Sequence, residues 1–303
     1  MNGSKTFTHR GTQQCQSPFL ISNIMNSNTL PSSNSLLQPS APIGVFDSGI
    51  GGLTVVAALQ KLLPHENILY IGDTARVPYG GKSQETVMRY SQEIVDLLLQ
   101  RGSKLAVAAC NTASALAVPT LKNFYAIPLH GVIESGAAAA IKTTRSGKIG
   151  VIGTKATIRS NAYHQAIDVL DPHLTIISQA CPLLVPLIEE GWIEDEITDS
   201  ILHRYLDPIL SQGIDTLVLG CTHYPLLKKR IATIVGPEIT LVDSAENCAL
   251  DIKSLLAEKN LATTNKDKGN LNIILTDRSE GFLNLAAERL HLIADSLETI
   301  SFH

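Results

Sequence analysis

Two of the five cysteines, Cys110 and Cys221, follow apolar segments and precede small or hydrogen-bonding residues. The segments read LAVAACNTAS from Leu105 and LVLGCTHYPL from Leu217, and each predicts a buried strand that ends at a thiol. Because the carboxyl ends of parallel strands face the ligand crevice of an open α/β sheet, we expect both thiols to face one substrate. Two thiols on opposite sides of a substrate are suited to two-base proton transfer.

The residues beside the cysteines strengthen this interpretation. Asn111 and Thr112 follow Cys110 at a predicted helix entry, where free N–H groups and the helix dipole lower a thiol pKa and bind a carboxylate. An isolated cysteine here would more often be an inert core residue, so it is the matching Cys221 that favours a catalytic role for Cys110. Cys221 is followed by Thr222 and His223, and the imidazole can exchange a proton with the thiol or the substrate.

A glycine-rich turn, DSGIGG from Asp47 to Gly52, joins a predicted strand to a helix. A phosphate loop is one interpretation. The segment lacks the Lys and Ser/Thr of a Walker motif, has Thr54 where a dinucleotide fingerprint has its third glycine, and carries a carboxylate that repels an anion. Asp47 better suits proton handling or ammonium binding. Helix capping by Asp47 or Ser48 is compatible with that role and stays open.

Three further features have two interpretations each. The loop YIGDTARVPYGG, from Tyr70 to Gly81, either orients a ligand or forms a plain turn. Glu189 and Glu190 lie near the end of a predicted helix, where one of them could assist His223 or both could be solvated. Cys181 and Cys248 lack polar neighbours of the same kind, so we interpret them as packing residues.

The segments that carry these motifs alternate between strand and helix patterns, which favours right-handed βαβ units and parallel sheets. Strands are predicted at 43–47, 67–71, 105–109, 129–133, 148–152, 174–178, 216–220, 239–242 and 271–275. Helices are predicted at 52–63, 83–101, 112–123, 134–145, 157–169, 182–190, 194–212 and 279–291.

The chain contains an internal repeat. IGVFDS from Ile43 matches IGVIGT from Ile149, and the two cysteine strands are related by nearly the same offset. The sequence therefore predicts two pseudo-symmetric α/β domains with mainly parallel sheets and the active site in the cleft between them. The expected first domain comprises 42–136 plus 244–303, and the expected second domain is 137–243.

The amino-acid composition excludes several other classes of function. A formal charge of −4 lacks the basic footprint of a nucleic-acid binder, and no stretch approaches the roughly 20 apolar residues that cross a bilayer. Five scattered cysteines without CxxC spacing fit reduced thiols in the cytoplasm better than disulfides or structural zinc. Residues 1–41 are polar and contain no Asp or Glu, so we expect a disordered extension, with a transit peptide as the alternative.

Five motifs, FDSGIGGL, YIGDTARVPYG, VAACNTASA, LVLGCTHYPLL and LVDSAE, resemble in order and spacing those of glutamate racemases of the aspartate/glutamate racemase superfamily. The resemblance covers residues 42 to 303. It implies a two-domain enzyme without a cofactor or metal that interconverts L- and D-glutamate for bacterial peptidoglycan. It also raises the expectations of a homodimer and of regulation by a cell-wall precursor.

Carried over by position, the resemblance makes Cys110 and Cys221 the catalytic bases, with Cys110 acting on D-glutamate and Cys221 on the L-enantiomer. Asp47 would assist Cys110, and His223 with Glu189 would assist Cys221. The implied substrate-binding residues are Asp47, Ser48, Tyr79, Gly80, Asn111, Thr112, Thr222 and His223.

Three other functions stay open at this point. A racemase of the same superfamily acting on aspartate or a hydantoin would share the thiols and differ in its side-chain contacts. A non-catalytic amino-acid-binding protein could keep the fold, although both cysteines and both helper residues are present. A pyridoxal phosphate enzyme would need a Schiff-base lysine, and no lysine stands at a motif strand end.

Overall fold

The computed structural model describes residues 38–278 and 290–302, in which strands and helices alternate. The strands are β1 (Ile43–Asp47), β2 (Ile68–Gly72), β3 (Leu105–Ala108), β4 (Leu129–Gly131), β5 (Lys148–Gly153), β6 (Thr175–Ala180), β7 (Thr216–Gly220), β8 (Thr240–Asp243), β9 (Leu271–Leu275) and β10 (Ser296–Thr299). The helices are α1 (Leu53–Leu62), α2 (Gln84–Gln100), α3 (Asn111–Leu116), α4 (Val118–Leu121), α5 (Val132–Thr143), α6 (Lys155–Arg159), α7 (Ala162–Leu170), α8 (Leu184–Glu189), α9 (Glu196–Leu210), α10 (Lys228–Val235) and α11 (Ser244–Glu258).

The strands form two sheets, and each strand pair in the described residues is parallel. The first sheet has the order β10-β9-β2-β1-β3-β4 and the second has the order β6-β5-β7-β8. Four strands of the first sheet, β2-β1-β3-β4, therefore have the same arrangement as the whole second sheet. The predicted α/β class with two pseudo-symmetric parallel sheets is confirmed, and β9 and β10 extend only the first sheet.

Helices cover the sheets, which explains why the central strands are continuous apolar runs. Strands β1, β2, β3 and β7 are buried along their whole length. Cys248 and Ile252 of α11 pack in one core cluster with Val45 of β1. Leu184 of α8 packs with Leu219 of β7 in another. Rigid cores on both sheets hold the strand ends, where the chemically active residues lie.

Several predicted elements needed correction. The predicted helix 112–123 is two short helices separated at Ala117, and helix 157–169 is broken at Asn161, which adopts a left-handed backbone with φ of 56°. The sequence analysis missed α10, α11 and β10. Most of the predicted helix 279–291 lies outside the described residues.

The expected N-terminal extension also lies mostly outside the described residues. Residues 38–41 form a turn in which the Ala41 N–H donates to the Gln38 carbonyl at 3.0 Å. The buried Lys104 ammonium donates to the Pro39 carbonyl at 2.6 Å. The division into domains 42–136 plus 244–303 and 137–243 stays a prediction. In the described parts of the chain, no helix has both the length and the apolar character needed to span a membrane.

Candidate active site

The carboxyl ends of both sheets meet around one small cavity. Cys110 follows β3 and Cys221 follows β7, and only 5% and 6% of their surfaces are exposed. The cavity measures about 20 Å³, roughly the space of one water molecule. It is lined by Ser48, Pro78, Tyr79, Gly80, Cys110, Asn111, Thr112, Thr154, Val185, Cys221, Thr222 and His223. The structure thus brings together every predicted substrate-binding residue except Asp47, which lies behind the lining.

On the first side, the Cys110 thiol donates a hydrogen bond to the Ser48 hydroxyl, with Sγ and Oγ 3.6 Å apart. Burial, reinforced by the negative charge of Asp47, raises the pKa of Cys110 to about 12. The helix entry does act in the expected direction, because the Ala113 N–H in the first turn of α3 opposes this rise in pKa. The six-residue α3 and its N–H groups do not outweigh the loss of solvent around the thiol.

Asp47 is fully buried at the end of β1 and is held by its own turn and by the opposite strand end. Its carboxylate accepts hydrogen bonds from the N–H groups of Gly49, at 3.0 Å, and Gly52. The Thr222 hydroxyl also donates to it, at 3.2 Å. Burial raises the pKa of Asp47, and the charge of His223 opposes that shift. Asp47 therefore connects the two cysteine sides, a contact that the sequence did not indicate.

On the second side, His223 lies between a thiol and a carboxylate. Its Nδ1 is 4.0 Å from the Cys221 sulfur, and its Nε2 is 3.1 Å from Oε1 of Glu189 at the end of α8. Burial alone would lower the pKa of His223, but the hydrogen bonds with Cys221 and Glu189 raise it to about 10. His223 is consequently an imidazolium at neutral pH. Glu189, rather than Glu190, is the carboxylate that reaches it.

Thr154 is a lining residue that the sequence analysis missed. It follows β5 just as Ser48 follows β1, so the repeat IGVFDS and IGVIGT contained the signal. Its hydroxyl lies 3.0 Å from the hydroxyls of both Thr112 and Thr157. These hydroxyls join the helix entry beside Cys110 to the first turn of α6 on the second sheet.

The loop that follows β2 contributes to the cavity at one end and to an ion-pair cluster at the other. Pro78, Tyr79 and Gly80 line the cavity, and the Tyr79 hydroxyl donates to Asp73. Arg76 also binds the Asp73 carboxylate, with Nε at 2.8 and 2.9 Å from its two oxygens. The loop is therefore more than a plain turn, because its polar cluster holds Tyr79 in place.

An α/β protein with two buried thiols at one strand-end cavity has the arrangement that the sequence predicted for a racemase, and comparison with known proteins shows the class. Residues 53–249 match the family model described as Asp/Glu/Hydantoin racemase. The chain is 50% identical over 248 residues to the glutamate racemase of Geobacter metallireducens, which covers 82% of this chain and 92% of that protein.

Solved structures show the same likeness. A glutamate racemase isoform from Bacillus anthracis superposes with a TM-score of 0.84 at 39% identity, covering 88% of this chain and 99% of that one. Glutamate racemase from Escherichia coli, in complex with L-glutamate and the activator UDP-MurNAc-Ala, gives a TM-score of 0.71 at 29% identity, covering 86% and 98%. The chain belongs to the Asp/Glu/Hydantoin racemase family and, within it, to the glutamate racemases.

Proposed function

We propose that this chain interconverts L- and D-glutamate by a two-base mechanism without a cofactor, in which Cys110 and Cys221 act on opposite faces of the α-carbon. The observation that carries this proposal is the placement of both sulfurs on one enclosed cavity, each at the end of a parallel strand. A single base returns the proton to the face from which it came and regenerates the same enantiomer. Two bases on opposite faces invert the carbon.

In the L-to-D direction, the Cys221 thiolate removes the α-proton and becomes a thiol. The electron pair of the broken C–H bond remains on the α-carbon and spreads into the carboxylate. Cys110 then gives its thiol proton to the opposite face, so D-glutamate forms and Cys110 is left as a thiolate. The D-to-L direction begins from that second protonation state and runs through the same steps in reverse.

The charges around the cavity favour this order of events. The His223 imidazolium, 4.0 Å from the Cys221 sulfur, stabilises negative charge on that atom, and Glu189 balances the cation. Cys110 has a pKa of about 12 and therefore holds its proton until the carbanion needs it. We assign to Asp47, whose pKa is raised by burial, the exchange of protons with the Cys110 side between turnovers.

The α-proton is weakly acidic, so the site must stabilise the carbanion. Fixed donors at a developing negative charge are worth about 3–4 kcal/mol each. The Asn111 amide nitrogen, the Thr112 hydroxyl and the N–H groups at the start of α3 are the donors that we assign to the substrate carboxylates.

Incubation of the purified chain with L-glutamate in D₂O tests the proposal. The expected product is D-glutamate with one α-deuterium, measured by chiral chromatography with mass detection after exhaustive dialysis and without added pyridoxal phosphate or metal. L-Aspartate and a hydantoin serve as matched substrates. Inversion of either in place of glutamate would contradict the substrate assignment, and the absence of any exchange would contradict the mechanism.

The proposed product is a building block of peptidoglycan, and we extend precursor regulation to this chain as part of the proposal. The Escherichia coli enzyme was solved with UDP-MurNAc-Ala as its activator. The test is to titrate the D₂O assay with UDP-MurNAc-Ala. A rise in rate supports regulation, and an unchanged rate restricts it to the relatives.

We also propose that domains 42–136 plus 244–303 and 137–243 separate to admit glutamate. The support is the cavity of about 20 Å³, which is too small for an amino acid. The parallel pairing of β9 with β2 supports the assignment of the segment after residue 244 to the first domain. X-ray scattering should show a smaller radius of gyration with saturating D-glutamate, and an unchanged radius would contradict closure. Light scattering in the same samples tests the predicted homodimer.

A further inference from the structure

Tyr163, a buried tyrosine on α7, contacts the site without lining its cavity. Its hydroxyl donates to the Asn111 side-chain oxygen at 2.7 Å. Asn111 directly follows Cys110 and begins the helix after β3 of the first sheet. Helix α7 instead packs with the second sheet, because Tyr163 shares a core cluster with Val151 and Val218. The hydrogen bond therefore crosses from one half of the molecule to the other.

This bond determines which way the Asn111 amide points. The Ser244 side chain also hydrogen-bonds the Tyr163 hydroxyl. Because the phenol proton is donated to Asn111, Ser244 is the donor to the phenol oxygen. The oxygen of Asn111 is thereby engaged, and its nitrogen, buried with the rest of the residue at 2% exposure, has no hydrogen-bond partner among the described residues. A buried amide nitrogen beside the cavity is explained if an acceptor atom of a bound ligand pairs with it.

Two glycines leave the space that the Tyr163 ring fills. A Cβ at Gly136 of α5 would lie 3.1 Å from the ring carbon Cε1 and from the hydroxyl oxygen. A Cβ at Gly220 would lie 3.1 Å from Cε2 on the other edge. Gly220 immediately precedes Cys221, so the ring rests against the strand end that carries the second thiol. One side chain thus touches the backbone before Cys221 and the amide after Cys110.

We propose that Tyr163 is a positioning residue for the reaction: it fixes the Asn111 amide so that its NH₂ group faces the substrate, and it does so only when both cysteine-bearing strand ends are in place. This inference rests on the proposed racemase function. The ligand group that Asn111 receives is an anionic oxygen, the substrate carboxylate on which the carbanion charge accumulates.

A double-mutant cycle tests the proposal. Tyr163→Phe keeps the ring and removes the hydroxyl, and we expect kcat/KM to fall about tenfold, the loss of one buried hydrogen bond. The same change in an Asn111→Ala background should alter kcat/KM by less than about twofold. Tyr125→Phe, which removes a hydroxyl bonded to Asp96 away from the cavity, is the matched control and should keep wild-type kinetics. A tenfold loss that persists without Asn111, or no loss with Asn111 present, overturns the proposal.

A second readout separates this proposal from the racemase assignment. In protein labelled with ¹⁵N-asparagine, the Asn111 side-chain signal is identified by its loss in Asn111→Ala. Tyr163→Phe should shift this signal more than any other asparagine side-chain signal, whether or not the chain turns over glutamate. An unshifted signal contradicts the hydrogen bond. An inert wild-type protein with a shifted signal contradicts only the proposed function and leaves the contact established.

Discussion

The two cysteine-bearing halves share a framework and differ in their acids. Ser48 after β1 and Thr154 after β5 occupy matching places, and Cys110 after β3 matches Cys221 after β7. The position of Asp47, however, is Gly153 in the second half. There the carboxylate comes from Glu189 on α8 and contacts the His223 imidazole.

This difference gives the two thiols unequal surroundings. Around Cys110, burial and an anionic neighbour favour the neutral thiol. Around Cys221, the neighbour is instead the His223 imidazole, whose Nδ1 lies 4.0 Å from the sulfur and whose pKa is raised to about 10. The repeated fold supplies two equivalent positions, and the residues that break the repeat give the two thiols different neighbours, the Asp47 carboxylate on the Cys110 side and the His223 imidazole beside Cys221. An enzyme for a reaction with an equilibrium constant of one can thus begin each direction from a different protonation state.

Removal of either thiol should have the largest effect and should show how the two halves differ. Cys110→Ala and Cys221→Ala should each lower racemisation by 10²–10⁴-fold or more, as expected for loss of a positioned proton-transfer group. The variants should differ in proton exchange. Cys110→Ala still has the base for the L-enantiomer, so it should exchange the α-proton of L-glutamate with D₂O without inversion, and Cys221→Ala should do so only with D-glutamate.

Cys181→Ala is the matched control for the cysteine variants, because Cys181 is a buried thiol outside the cavity lining. It should racemise at nearly the wild-type rate. Exchange of the same enantiomer by both active-site variants would show that the faces are not assigned as we propose.

Substitution of the partner of each thiol should show that the halves are unequal. His223→Asn removes the cation beside Cys221 and should lower kcat/KM about 10²-fold. Ser48→Ala removes a neutral hydrogen bond at Cys110 and should cost about three- to tenfold. Since the equilibrium constant of racemisation is one, kcat/KM must fall equally in both directions, whereas kcat can differ between the directions if KM differs by the same factor. Equal losses in the two variants would contradict the asymmetry.

Gly51 tests how closely the turn after β1 holds the second half. A Cβ at this position would lie 2.5 Å from Nδ1 of His223 and 2.5 Å from the Thr222 hydroxyl. Gly51→Ala should therefore displace His223 from Cys221 and lower kcat about tenfold, and the overpacking itself should cost about 1–3 kcal/mol of folding stability. Gly81→Ala, where a Cβ would meet nothing within 4 Å, is the control. Equal activities of the two variants would show that Gly51 does not position His223.

The order and type of the strands could be predicted from the sequence because buried parallel strands have continuous apolar sequences. β1, β7 and β9 have the predicted bounds. The missed helix α11 also has a signal, since Ala245, Cys248, Ala249, Ile252 and Leu256 recur at helical spacing on its buried face. The break at Asn161 could not be found this way, because one left-handed residue leaves the apolar pattern on both sides intact.

The residues around each thiol could be predicted only in part. Short motifs placed Asn111, Thr222 and His223, which follow their cysteines directly. The contacts from Tyr163 and Thr154 join segments that are far apart in the chain, so local patterns do not reveal them. The raised pKa of Cys110 depends on how completely the fold removes water from the thiol, which no motif encodes.

Glu189→Gln should make a small change that depends on pH. The substitution keeps the shape of the side chain and weakens one of the two hydrogen bonds that raise the pKa of His223 to about 10. Because the imidazolium exists only below that pKa, kcat/KM of the wild type should decline on the alkaline side as pH rises through about 10. In Glu189→Gln the pKa of His223 is lower, so the decline should begin at lower pH, with about a fivefold loss near pH 8.

Protonation of His223 should also stabilise the fold. The folded-state pKa of His223 lies above its ordinary value of 6.5, so its stabilising contribution is complete below pH 6.5 and is lost as pH rises through about 10. The free energies of unfolding of the wild type and of His223→Asn, measured by chemical denaturation across this range, should therefore converge at alkaline pH.

Glu190→Gln is the control for the pH profile of kcat/KM, because the Glu190 carboxylate does not reach His223. If kcat/KM declined at the same alkaline pH in Glu189→Gln and Glu190→Gln, Glu189 would not raise the pKa of His223. The second half would then differ from the first through His223 alone.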